Sequence, residues 1–273
     1  MQAMTDPAGT VDAARWCTLL LRTTRGPAAA PMACWSDGSA LWLATPADSV
    51  AVGVLRRDPD CQAVVGQEAG AGVVLRGTAR VYGGHDPLGL LLHSPVVSTA
   101  LAALAASHPD SVLDYIAQAA RLPARRLPRN QVAIRLAVHQ SLVVDDLVVD
   151  SGLAPALPSV VPADVRRALT GVRHIVLASD CPGRNGHGGL DAEPAVWGAG
   201  FAVSLAPRRR LEAGTRVLAT TTAEAGGRFA GIAVCGRLGA GCVVRTERVT
   251  WWRGASAETV DLPPATSSIT LPD

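Results

Sequence analysis

Residues 37–65, DGSALWLATPADSVAVGVLRRDPDCQAVV, contain a hairpin turn, a strand, a short helix and a further strand in that order. An Asp-Gly pair between apolar runs is a strong short-range hairpin signal. Residues 31–35 and 40–45 therefore read as antiparallel strands around Asp37-Gly38. Trp35 and Trp42 lie seven apart across that turn and are expected in the core or at a barrel rim. Residues 49–57 read as a short helix stopped by Asp58-Pro59, and 62–67 as the next strand.

Working outward, residues 17–23 (CTLLLRT) form a buried strand that turns at Arg25-Gly26-Pro27. Residues 73–81 form another, after a Gly/Ala-rich loop at 68–72. From 86 to 126 the spacing becomes helical, with breaks expected at Pro95, Pro109 and Pro123 and with Asp110 or Ser111 as a cap. The β pattern returns at 131–149, and the Pro-rich segment 152–162 reads as a linker. Beyond it the first pattern recurs: HIVLAS at 174–179 echoes TLLLRT at 18–23, and 245–252 echoes 135–142. GIAVCG at 231–236 matches GVVLRG at 72–77, an offset of 231 − 72 = 159. The reading is a tandem duplication: 1–150 as the first unit with a helical insert at about 83–128, 151–171 as linker, and 172–273 as an abbreviated second unit. The predicted fold is mainly β (α+β), two tandem antiparallel barrels with a small helical insert in the first.

Composition narrows the function. The 273 residues are 48% hydrophobic and carry 25 basic against 23 acidic side chains, a balance of +2 that argues against a nucleic-acid partner. No apolar run reaches the ~20 residues a membrane span requires. The N-terminal residues have neither the basic nor the apolar region of a secretory signal, so a cytoplasmic protein is expected. All 25 basic residues are arginines. Schiff-base and Walker-type lysines are thereby excluded, and any phosphate falls to arginine, hydroxyl or backbone N–H groups. The six cysteines form no C-x-x-C pair, and Cys17, Cys34 and Cys235, inside apolar strand-like runs, read as small hydrophobes. No metal site is read from them.

The ordered landmarks LLLRTTRGPAAAPM (19–32), residues 37–65 and GVVLRGTARVY (72–82) resemble the FMN-binding split β-barrel superfamily, the pyridoxamine-phosphate-oxidase-like proteins and their deazaflavin (F420) relatives. Thr45, Ser49, Leu55, Asp58-Pro59, Gly77 and Ala79 fall in that pattern's slots. The resemblance covers about 15–149 well and 172–253 faintly. It implies FMN as cofactor, with F420 or haem as alternatives, and a ring held at the junction of two barrels. It implies a phosphate cradle at Thr45, Ser49 and the helix that Ser49 opens. Trp42 is a candidate ring wall.

The pattern's Ser-x-Lys lysine is here Ala51, and the second unit lacks the signature. Arg56 or Arg57 is then expected to supply the phosphate charge, with Arg22, Arg25 and the Arg208-Arg209-Arg210 triplet as further sources. Placing lysine at 51 should restore the family contact. His187 and His139 are the histidines considered for haem. The loop 179–194 holds Asp180, Cys181, Arg184, His187, Asp191 and Glu193, and reads as either functional or disordered. Of Trp251-Trp252, one should be exposed or at an interface. No catalytic residue is assigned.

Two functions stay open. One is an FMN- or F420-dependent oxidoreductase transferring hydride to or from a small organic substrate. The other is a cofactor-degenerate split barrel acting as a binding or accessory protein for haem or another flat ligand. Partners are the small molecule itself and the other half of an intrachain pseudo-dimer, with a homodimer of the whole chain left open.

Overall fold

The computed structural model describes residues 7–66, 72–83, 86–108, 131–143, 153–181, 189–205, 211–225, 228–254 and 256–263. The first half is a closed antiparallel barrel of six strands. They are β1 (Trp16–Thr23), β2 (Gly26–Ser36), β3 (Ala40–Pro46), β4 (Asp60–Val65), β5 (Val73–Tyr82) and β6 (Gln131–Val143), in spatial order β1-β2-β3-β6-β5-β4. The hairpin lies where the Asp-Gly pair puts it, with Trp35 opposite Trp42. The Asp37 carboxylate holds the turn by accepting from the backbone N–H groups of Ser39 and Ala40, each at 2.8 Å, and from Trp42 Nε1 at 2.7 Å.

The second half repeats this connectivity. Strands β7 (His174–Cys181), β8 (Gly189–Trp197) and β9 (Val203–Leu205) run off one side of β7. Strands β10 (Arg216–Ala225), β11 (Arg228–Leu238) and β12 (Val244–Arg253) run off the other. The β3–β6 ladder that closes the first barrel has a counterpart in one bridge, Ala202 to Val243, so the second barrel is nearly closed. An additional strand, β13 (Ser256–Asp261), pairs along β12 instead. Both ends of the bridge follow the same turn, Gly-Ala-Gly-x, at 198–201 and 239–242. In each, the last residue (Phe201, Cys242) adopts positive φ.

Alternation sorts the barrel side chains. Cys17, Leu19, Leu21, Cys61, Ala63, Val65, Val73 and Leu75 fill the first barrel, while Ile175, Leu177, Val217, Ala219, Ile232, Val234 and Trp251 fill the second. The intervening positions face the other half. Leu20, Val64 and Val74 pack against Val176, Ala178, Leu218, Phe229, Ala233 and Trp252 in a shared layer. Trp251 and Trp252 thus serve different cores, one the barrel and one the junction. At the layer's edge Trp16 stacks on Phe229 with centroids 5.2 Å apart.

Four helices complete the described chain: α1 (Pro7–Ala13), α2 (Val50–Leu55), α3 (Pro87–Ser107) and α4 (Ala163–Ala168). The expected break at Pro95 does not occur, because α3 runs unbroken through it for 21 residues. Proline deletes one backbone hydrogen bond, and packing compensates: Val97, Ala100 and Leu104 lie on Trp42, Tyr82 and Ala133 of the barrel wall. The helix expected after Pro109 lies outside the described residues. The supposed linker contributes core, since Val161, Val165 and Leu169 plug the second barrel. No helix among the described residues is long and apolar enough to cross a membrane.

Candidate functional site

The turn into α2 is where the resemblance leads one to expect a phosphate cradle. Thr45 ends up buried, paired with Val132 of β6. Ser49 caps α2, its Oγ accepting the Val52 N–H at 3.3 Å. Ala51, the slot of the missing lysine, points into the first barrel and is 4% exposed among Val52, Val54 and Leu55. A lysine at this position would start from that apolar core, which argues against the expected reach to a phosphate. Arg56 and Arg57 follow the last residue of α2, about 10 Å along the axis from Ser49 at 1.5 Å per residue. Arg57 Nε donates to Gly53 O at 3.1 Å. Trp42 lies on the face of β3 opposite Thr45, fully buried beneath α3. The fold thus brings Thr45 and Ser49 to one end of α2 and sets Arg56, Arg57 and Trp42 apart from them.

A different constellation forms where the halves meet. The β1–β2 turn of the first barrel (Thr24, Arg25, Pro27) faces β10, β11, β12 and β13 of the second across a pocket of about 440 Å³. Such a volume suits a small ligand. Arg25, Arg216 and Arg248 supply the positive charge, and Pro27, Val217 and Cys235 the less polar wall. Beside it Asp180 lies 3.9 Å from Arg22 Nε. Burial pushes the Asp180 carboxyl up, against the pull of Arg22 and Arg216. The Arg216 guanidinium makes no hydrogen bond among the described residues. Gly26, at φ +105°, matters here: a Cβ on it would stand 3.2 Å from Arg216 Cδ. Burial also pushes the Cys235 thiol up to about 11, so it stays protonated at neutral pH.

The corresponding face on the other side of the junction is closed. There Gln62 of β4 donates to Leu190 O at 2.6 Å and accepts the Ala192 N–H at 3.2 Å. Arg76 of β5 bonds Asp191 and reaches Ala192 O at 3.1 Å. With the offset of 159, Arg76 corresponds to Cys235, whose short side chain packs on the junction layer and donates to Pro27 O at 3.7 Å. One long guanidinium zips one side, and one short thiol leaves the other open.

Of the remaining sequence candidates, His139 is exposed and lies 3.0 Å from Thr78 Oγ1, which is 3.2 Å from Asp60. His187, Arg184 and the Arg208-Arg209-Arg210 triplet lie outside the described residues. Of the loop 179–194, the described ends are continuous with the β7–β8 hairpin. The arginine pocket was missed as a unit because its members, Arg25, Arg216 and Arg248, are up to 223 positions apart (248 − 25). A local signal existed only in Arg25-Gly26-Pro27.

A scan of protein-family models and a search of curated proteins give no match for this chain. Among solved structures, the chain is similar to a FAD-binding protein from Mesorhizobium loti, with 16% identity over 52% of this chain and 94% of that one and a TM-score of 0.38. General Stress Protein 26 from Bacillus anthracis is similar at 15% identity over 50% and 89%, with a TM-score of 0.33. An F420 reductase is similar at 12% identity over 50% and 97%, with a TM-score of 0.34.

Proposed function

We propose that this chain binds a flavin-type cofactor, FMN or F420, with its phosphate held in the arginine pocket at the junction of the two halves. The bound ring would supply hydride transfer to or from a small organic substrate. The supporting observation is convergence: arginines from both halves, Arg25 on one side and Arg216 and Arg248 on the other, line one pocket. Arginine matches phosphate oxygens with paired N–H donors. Arg216 is the main donor in this reading, because its guanidinium has no hydrogen-bond partner among the described residues and its charged neighbour is Asp180. The test is the visible spectrum of the purified protein, followed by titration with FMN and with F420. Arg216→Ala should weaken FMN binding about tenfold or more, since a hydrogen bond to a charged group contributes about 1.5–3 kcal/mol. Equal binding by both forms would move the phosphate elsewhere.

A second reading, a cofactor-free binding or accessory protein on the same scaffold, has its own support. Ala51 lies in the core where the resembled pattern carries lysine, and Trp42 is sealed beneath α3. It expects a protein that binds neither FMN nor F420, with haem or another flat ligand as what it would hold.

A further inference from the structure

The carboxylate of Asp261 bridges the two halves of the pocket. Its Oδ2 accepts from Arg25 Nη2 at 3.3 Å, on the β1–β2 turn of the first barrel. Its Oδ1 accepts from Arg248 Nε at 2.5 Å, on β12 of the second. Two guanidinium groups from opposite halves therefore share one anion that belongs to the chain itself. We propose that Asp261 is an internal placeholder for the phosphate site, displaced from Arg25 and Arg248 when a phosphate-bearing ligand binds. The proposal rests on reading the junction pocket as a phosphate site, and it adds how that site is regulated and which anions it admits.

Three features make Asp261 the anion that yields. It is the last residue of β13, which pairs only with β12 and is exposed along nearly its whole length. Its side chain is 60% exposed and that of Arg25 66%, so the Arg25–Asp261 pair is solvated and weakly held. Of the other carboxylates at the cluster, Asp180 is anchored within β7 and partly buried, and Glu247 of β12 lines the pocket paired with Arg237 Nε at 3.3 Å. Arg25, Arg216 and Arg248 line one pocket as like charges with Glu247 and Asp261 as the carboxylates, and Asp261 is the one that bonds both Arg25 and Arg248 and relieves their repulsion. A phosphate monoester carries more negative charge than a carboxylate and has three acceptor oxygens. It can therefore displace Asp261 where a monocarboxylate only equals it. The site so described selects phosphate esters over carboxylic acids of similar size.

The experiment uses the full chain and its Asp261→Asn and Asp261→Ala variants, titrated with inorganic phosphate, acetate and FMN at constant ionic strength by calorimetry and thermal shift. Removing the placeholder should tighten phosphate about three- to tenfold in both variants and narrow the preference for phosphate over acetate. Unchanged or weaker phosphate binding in both variants would overturn the proposal, making Asp261 an organiser of the arginines. If FMN fails to bind any form while phosphate binds more tightly to the variants, the flavin reading falls and the placeholder stands. If phosphate binds no form, the placeholder falls too.

Discussion

Gly77 and Gly236 occupy the same bulge in the two halves. The register between β5 and β6 shifts at Arg76/Gly77, and that between β11 and β12 at Cys235/Gly236. A Cβ on Gly77 would stand 2.1 Å from Ala137 O, and one on Gly236 1.9 Å from Arg245 O. Their separation, 236 − 77 = 159, is the offset at which GVVLRG and GIAVCG align. Alanine at either position should cost about 1–3 kcal/mol in urea unfolding, because backbone rather than a flexible side chain must move. Gly53→Ala, in α2 with open space around it, should instead stabilise by about 0.5–1 kcal/mol. Equal effects at all three positions would refute the close-approach explanation.

Ala51→Lys tests the orientation of α2. Because Ala51 faces the first barrel's core, the substitution should destabilise by about 3–5 kcal/mol, as an uncompensated buried charge does. FMN affinity in the folded fraction should not rise. A stable variant with tighter FMN binding would mean that position 51 reaches the ligand.

Gln62→Ala should unlatch the closed side of the junction. It leaves Leu190 O and the Ala192 N–H without their side-chain partner, at a cost of about 1–3 kcal/mol. Ligand stoichiometry in the native chain should be one per chain. Two equivalent sites in a calorimetric titration of the unmodified protein would contradict the asymmetry of the junction.

His108, at the end of α3, lies edge-on to Trp16 at 4.8 Å, and burial lowers its pKa from 6.5. Backbone hydrogen bonding at Cys34 and Arg15 opposes the shift. The unfolded chain then binds this proton more readily than the folded one. Stability should therefore fall as pH drops through 6.5 and level off below the folded value, with a slope from this group of up to ~1.4 kcal/mol per pH unit. His108→Phe should remove that part of the slope. An unchanged profile between pH 7 and 5 would show that His108 titrates normally.

Cys242 adopts φ +57° with an exposed side chain, in the turn whose twin ends at Phe201. Cys242→Gly should raise stability by up to ~1 kcal/mol by relieving left-handed strain. Phe201→Gly should not gain likewise, because Phe201 packs on Trp197 at 5.7 Å. Thermal unfolding of the two variants decides.

Local chemistry settled a good deal in advance. The Asp37-Gly38 hairpin, the short helix ahead of Asp58-Pro59, the strands around Thr18–Arg22 and Val74–Arg80, and the recurrence at 159 all rest on turn residues and period-2 patterning, whose causes lie within a few positions. The absence of lysine likewise left arginine as the only side-chain cation that could meet an anion. Other features depended on contacts far along the chain. Pro95 stays inside α3 because Trp42 and Tyr82 support that helix. Ala51 faces inward because barrel closure decides which side of α2 is covered. The doubled apolar character of TLLL and IVLA marks strands buried on both faces, yet the sequence alone does not say what covers the second face. The pocket is the plainest case. Arg25, Arg216, Arg248 and Asp261 are ordinary charged residues on separate turns and strands, and only the packing of one half against the other makes them neighbours.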